Sequence, residues 1–139
     1  MKYIGIDCGT STGLAIWDSS EKRITSVQTL SLYKAFETVS LIAENEPVKV
    51  IFEDARKRRW IPQERSNSEY RGHLMGAGSV KRDSTAWEEF CKGKKIPYDA
   101  VAPRKGLTKW DKDTFAQVTG YKERTSHHGR DAALLVFGR

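Results

Sequence analysis

The sequence predicts an α/β fold, a central mixed five-stranded sheet flanked by helices, in one domain covering residues 1–139. Three observations carry this expectation. β-prone runs crowd the start of the chain, at 2–6, 14–17 and 24–30, with no helical period between them. A helix-period segment, 32–46, then leads directly into the apolar run 48–52, as in a crossover to a parallel strand. A length of 139 residues is enough for one sizeable core and leaves little room for a second.

The elements follow in order. Residues 2–6 and 14–17 read as a hairpin around a turn at 9–13, with Asp7 beside that turn. The third strand alternates, with Ile24, Ser26, Gln28 and Leu30 on one face and Thr25, Val27 and Thr29 on the other. Leu32, Ala35, Phe36, Val39, Ile42 and Ala43 recur at helical spacing until Pro47 stops the pattern. Nearly continuous apolarity at 48–52 fits a strand covered on both faces, and it delivers Glu53 and Asp54 at its end. Residues 66–91 are helical in composition but contain Gly72, Gly76 and Gly78, so either small residues permit close packing or the helix is kinked. Thr85-Ala-Trp-Glu88 matches a capping box, which leaves a fresh helix starting near Thr85 as an alternative to one long rod. Residues 96–102 form a further strand, and 111–119 a helix with Phe115 and Val118 inward, closed by Gly120. Ser126 caps a last helix whose residues from Ala132 to Phe137 are apolar enough to be largely buried.

Twenty-four Lys and Arg against 18 Asp and Glu give a net charge of +6, which favours a nucleic acid or another anionic partner. Cys8 and Cys91 form no C-x-x-C pair, so a zinc framework and a dense disulfide scaffold are both disfavoured. No apolar run is long enough to cross a bilayer and no leader segment is evident, so a cytoplasmic protein with no membrane partner is expected.

Asp7 and Glu53 each follow an apolar run, and carboxylates in such places are rarely buried unless paired or bound to a metal. His128 and Asp131 are three apart, hence on one helical face. Converging, these four residues would offer hard oxygen donors and an imidazole to Mg²⁺ or Mn²⁺. With the positive net charge, that set favours a metal-dependent nuclease. His127 also shares a face with Asp131 and competes with His128 for the ligand role. Asp54 alternates away from Glu53 and is expected to pair with a nearby Arg. Arg56, Lys57, Arg58, Arg59 and Trp60 place dense positive charge and an aromatic ring just after Glu53; phosphate contact is the functional reading, a solvated charged loop the bland one.

Gly5-Ile-Asp7-Cys-Gly9 ahead of a second strand, Ile51-Phe-Glu53, and His128-Gly-Arg-Asp131-Ala-Ala opening an apolar helix resemble, in order and spacing, the RuvC-like Holliday junction resolvases of the RNase H-like nuclease superfamily. The resemblance spans nearly the whole chain. It implies an RNase H-like fold and two Mg²⁺ or Mn²⁺ ions per active site, with Asp7 bridging both, Glu53 completing one, and His128 and Asp131 the other. It further implies cleavage of four-way or other branched DNA by two-metal hydrolysis, and a homodimer built through the helical region 66–91. Trp60 stands near the place of the family's junction-opening aromatic, although Arg56 occupies the matching position. Lys105, Lys109 and Lys112 resemble family lysines that approach the scissile phosphate. Gly5-Ile-Asp7-Cys-Gly9-Thr10-Ser11 is also similar to the phosphate-binding opening of sugar kinases and actin-like ATPases, but those enclose a nucleotide between two such domains. An RNase H-like ribonuclease and a noncatalytic branched-DNA-binding module are the remaining alternatives.

Overall fold

In the computed structural model, residues 1–58, 67–103 and 109–139 are described, residues 67–77 by their backbone alone. Five strands, β1 (Lys2–Asp7), β2 (Thr12–Asp18), β3 (Arg23–Leu30), β4 (Val48–Glu53) and β5 (Tyr98–Val101), form one mixed sheet in the order β3-β2-β1-β4-β5. The first three strands are mutually antiparallel, whereas β1–β4 and β4–β5 are parallel. Helices α1 (Leu32–Asn45), α2 (Asn67–Lys94), α3 (Lys112–Thr119) and α4 (His127–Leu134) complete the chain, with a 3-10 turn at Ala55–Lys57.

Period-two alternation splits the core across the sheet. Ile4, Ile6, Val48, Val50 and Phe52 join Ala35, Val39, Trp87 and Cys91 on the α1/α2 face. Ala15, Trp17 and Ile51 join Phe115, Ala132, Ala133 and Val136 on the α4 face. The aromatic trio Phe36, Trp87 and Phe90 locks α1 to α2, with ring centroids 4.6 to 5.6 Å apart. Ser126 caps α4 as expected, and Ser31 and Asp111 cap α1 and α3 in the same way, each accepting from the backbone N–H three residues on. Gly120 ends α3 at φ 73°, a left-handed conformation that glycine adopts without a Cβ clash.

Several expectations are corrected. Ile24 and Val27 face the same cluster because the β2–β3 register shifts between Ile16 and Trp17, and the bulge restores both to the α4 side. The α2 helix runs without interruption past Thr85, whose hydroxyl donates to Lys81 O at 3.0 Å inside the helix, so no new helix begins there. β5 is shorter than 96–102 and half-buried throughout, as befits an edge strand. Val118 is 47% exposed, because Phe115 alone carries the inner face of the short α3. The last helix ends at Leu134, and Val136 reaches the core from the turn that follows.

Candidate functional site

Parallel pairing of Ile6 with Phe52 puts Asp7 and Glu53 side by side at the carboxyl ends of β1 and β4. By alternation both belong to the face of Gly5 and Ile51, the face on which α4 lies. Two glycines bring α4 down onto it. A Cβ at Gly5 would lie 2.0 Å from Ala132 O, and one at Gly13 would lie 2.0 Å from His128 O, so only glycine admits the helix at this depth. Ser126 fixes its first turn, accepting from Gly129 N at 3.0 Å and pairing its hydroxyl with that of Thr29. Arg130 ties the flanking loops to the helix through Trp110 O at 3.1 Å and Thr125 O at 3.0 Å.

These supports present His128 and Asp131 to the strand ends. His128 Nδ1 lies 2.9 Å from Asp7 Oδ2, and Lys109 Nζ lies 3.0 Å from Asp131 Oδ2. Burial raises the Asp7 carboxyl above its ordinary 3.8; the His128 hydrogen bond opposes that shift and the charge of Asp131 adds to it. The Lys109 ammonium is raised by its hydrogen bond to Asp131, with Asp7 and Glu53 contributing through their charge. Asp7, Glu53, Asp131, His128 and Lys109 therefore share one electrostatic neighbourhood. Behind it, Cys8 Sγ sits 3.9 Å from Glu53 O, and burial pushes its thiol up to about 12, so it is an inert neighbour.

Among the described residues, no group of three or more His, Cys, Asp or Glu side chains stands close enough to hold an ion. Asp7 and Asp131 are instead turned toward partners of the protein's own, His128 and Lys109. The donor set nevertheless fits a hard divalent cation in kind: carboxylates from two strand ends and a helix plus one imidazole, with a half-buried Asp7 whose charge a cation would stabilise. His127 is exposed, its ring tilted 38° against that of His128 at 3.9 Å between centroids, and no contact with Asp7 or Asp131 is seen among the described residues.

The basic residues divide. Arg56 is engaged by Asp54 and Glu88, and Lys57 Nζ donates to Ala100 O at 2.6 Å. Arg58 and Lys112 are exposed, at the end of the 3-10 turn and at the start of α3. Arg59, Trp60 and Lys105 lie outside the described residues. The expected pairing of Asp54 with an arginine is present, whereas Glu88 as second partner, the Ser84 contact to Glu53 O at 3.2 Å and the Arg130 clamp were not anticipated. Gly5 inside a strand was a legible sign of close backbone approach. No helix of the described residues is long and apolar enough to cross a membrane.

No family model matches the chain, and no curated protein matches it at significant similarity.

Proposed function

We propose that the chain is a RuvC-like endonuclease with an RNase H-like fold, which resolves Holliday junctions or other branched DNA by symmetric, metal-dependent phosphodiester hydrolysis. The observation that carries the reading is the placement of Asp7 and Glu53 on neighbouring parallel strand ends beneath α4, which brings His128 into contact with Asp7 and sets Asp131 in the same electrostatic neighbourhood. The net charge of +6 suits a polyanionic substrate.

Two Mg²⁺ or Mn²⁺ ions held by these four residues would activate the attacking water and stabilise the leaving oxygen. The protein's own groups do the rest. Asp7 and Glu53 are fixed by the sheet, His128 is oriented by its Nδ1 contact with Asp7, and the Lys109 ammonium stands beside Asp131, where it can offset charge on a bound phosphate. Lys112 and Arg58, both exposed, are candidate phosphate contacts.

A second reading, a noncatalytic branched-DNA-binding module, is favoured by one observation: Asp7 and Asp131 are already partnered within the protein. One assay separates the readings. Labelled four-way junction, matched duplex and RNA–DNA hybrid are incubated with the protein and Mg²⁺, Mn²⁺ or EDTA. Symmetric metal-dependent nicks in the junction are expected. Cleavage of the hybrid alone would identify a ribonuclease, and junction binding without cleavage in either metal would identify the module.

A further inference from the structure

We infer that Arg56 is a positioning residue for Glu53, forming with Asp54 and Glu88 a latch that pins the chain just after β4 to α2. The inference rests on the nuclease reading of Glu53 but concerns a residue whose position in a basic run points to phosphate contact.

The geometry of the latch is closed. Asp54, the first residue after β4, keeps one hydrogen bond to the neighbouring strand, its N–H donating to Val101 O at 2.7 Å, and its side chain is 2% exposed. That buried carboxylate accepts from Arg56 three times: from the backbone N at 3.0 Å, from Nε at 2.8 Å and from Nη2 at 2.7 Å. A guanidinium offers its donors as a planar fork, and here its Nε–Nη2 edge is taken up by Asp54. The same Nη2 donates to Glu88 on α2, and Glu88 also accepts from Lys92 at 2.9 Å.

Ser84, one helical turn before Glu88, shares its single hydroxyl proton between Val80 O at 2.9 Å within α2 and Glu53 O at 3.2 Å. Thus α2 grips the segment at two points a turn apart, once on the Glu53 peptide and once, through Arg56, on the residues that follow. The pairing of β4 with β5 holds Glu53 as part of the strand, and this grip fixes the chain immediately after its Cα, which is what an oxygen ligand needs if its carboxylate is to stay in a productive direction.

The charge balance argues against phosphate contact. Arg56 borders an open cleft of 740 Å³ shared with Lys57, Tyr98 and Asp99, and could be taken for its cationic wall. Yet Arg56 and Lys92 are matched by Asp54 and Glu88, two charges of each sign, so a phosphate arriving there meets carboxylates as well as the guanidinium. Hydrogen bonds to Asp54 and Glu88 raise the Arg56 guanidinium, and the hydrogen bond from Arg56 holds Asp54 below the usual carboxylate range, as mutual stabilisation requires.

The test compares the wild type, Arg56→Ala, and the paired change Asp54→Asn with Arg56→Gln, which keeps a hydrogen-bonded neutral pair if the single variant does not fold. Mn²⁺ affinity is read by calorimetry with the metal alone, junction affinity in EDTA against salt, and amide exchange at Asp54 and Arg56 directly. Arg56→Ala is expected to weaken Mn²⁺ binding at least about tenfold and to speed exchange at both amides. The paired variant should bind Mn²⁺ within about threefold of the wild type, with its salt slope unchanged. A phosphate contact would instead make the slope of log affinity against log salt shallower by about 0.9 in the paired variant, and that result overturns the inference. Unchanged exchange and Mn²⁺ affinity in Arg56→Ala overturn it too. Should the wild type bind neither Mn²⁺ nor junction, the nuclease reading fails, while faster exchange in Arg56→Ala would still support the latch.

Discussion

Asp7 concentrates the electrostatic tension of the site. Its carboxylate is raised by burial and by the charge of Asp131, so at neutral pH the ionised form opposes folding, and His128 relieves only part of this. Asp7→Asn keeps an oxygen acceptor for His128 and removes the charge. It should therefore melt higher than the wild type in EDTA and lose that advantage when Mn²⁺ is added, because only the wild type gains from the ion. Cleavage should fall by about 10³-fold or more, the scale of several kcal/mol of lost charge stabilisation, while junction binding persists. A melting temperature below that of the wild type in EDTA would remove the strain argument. The two histidines differ as sharply. His128 touches Asp7 at 2.9 Å and His127 is exposed, so His128→Ala should weaken Mn²⁺ binding by about tenfold or more. His127→Ala should leave it unchanged, and the reverse ranking in a calorimetric titration would exchange their roles. Spacing alone could not separate the two, since both share a helix face with Asp131; in the folded chain the rotation of α4 turns His128 toward Asp7 and leaves His127 exposed.

At the scale of elements, the site depends on how closely α4 approaches the sheet. Gly13→Ala would set a methyl 2.0 Å from His128 O, and backbone cannot rotate away as a side chain can. A loss of about 3 kcal/mol, the upper end of ordinary overpacking, is expected in denaturant titration. Gly93→Ala in α2, with nothing within 4 Å of the new methyl, should gain up to about 1 kcal/mol from helix propensity instead. Equal effects at the two positions would mean that α4 yields freely. The latch after β4 adds a pH signature. Arg56 lowers the folded-state value of Asp54 below its ordinary 3.8, so the stabilisation is fully present above 3.8 and is lost as pH falls through the lowered value. The paired change Asp54→Asn with Arg56→Gln should flatten that part of the acid-unfolding curve; a curve superimposable on the wild type would count against it. Most of these elements were legible from period and caps, because β1, α1 and β4 obey their own local rules. The β3 bulge was not, since an extra residue leaves no mark in an alternating run, and neither was Val118, whose helix is too short for a second inward position to meet the core.

Taken whole, the molecule engages several of its basic side chains internally: Lys109 with Asp131, Arg56 with Asp54 and Glu88, Arg130 with backbone carbonyls. Charge counted along the chain could not reveal this, because Arg56 and Glu88 stand 32 residues apart in sequence and meet only when α2 folds back across the strand end. The same helix is where a two-fold partner is expected, since symmetric nicking of a junction needs two sites related by a dyad. Gly78 lies exposed on α2 with nothing among the described residues within 4 Å of a Cβ, so none of these makes a demand for glycine there. In a monomer, Gly78→Leu should simply raise stability by up to about 1 kcal/mol through helix propensity. In a dimer packed closely along that face, the new side chain would intrude between the helices. The variant is therefore expected to fall from dimer to monomer mass in light scattering at assay concentration, and its two nicks on a labelled junction should become independent events rather than a pair. A wild type that is monomeric at that concentration would rule out the dimer, and a Gly78→Leu protein that keeps dimer mass would move the interface to another face.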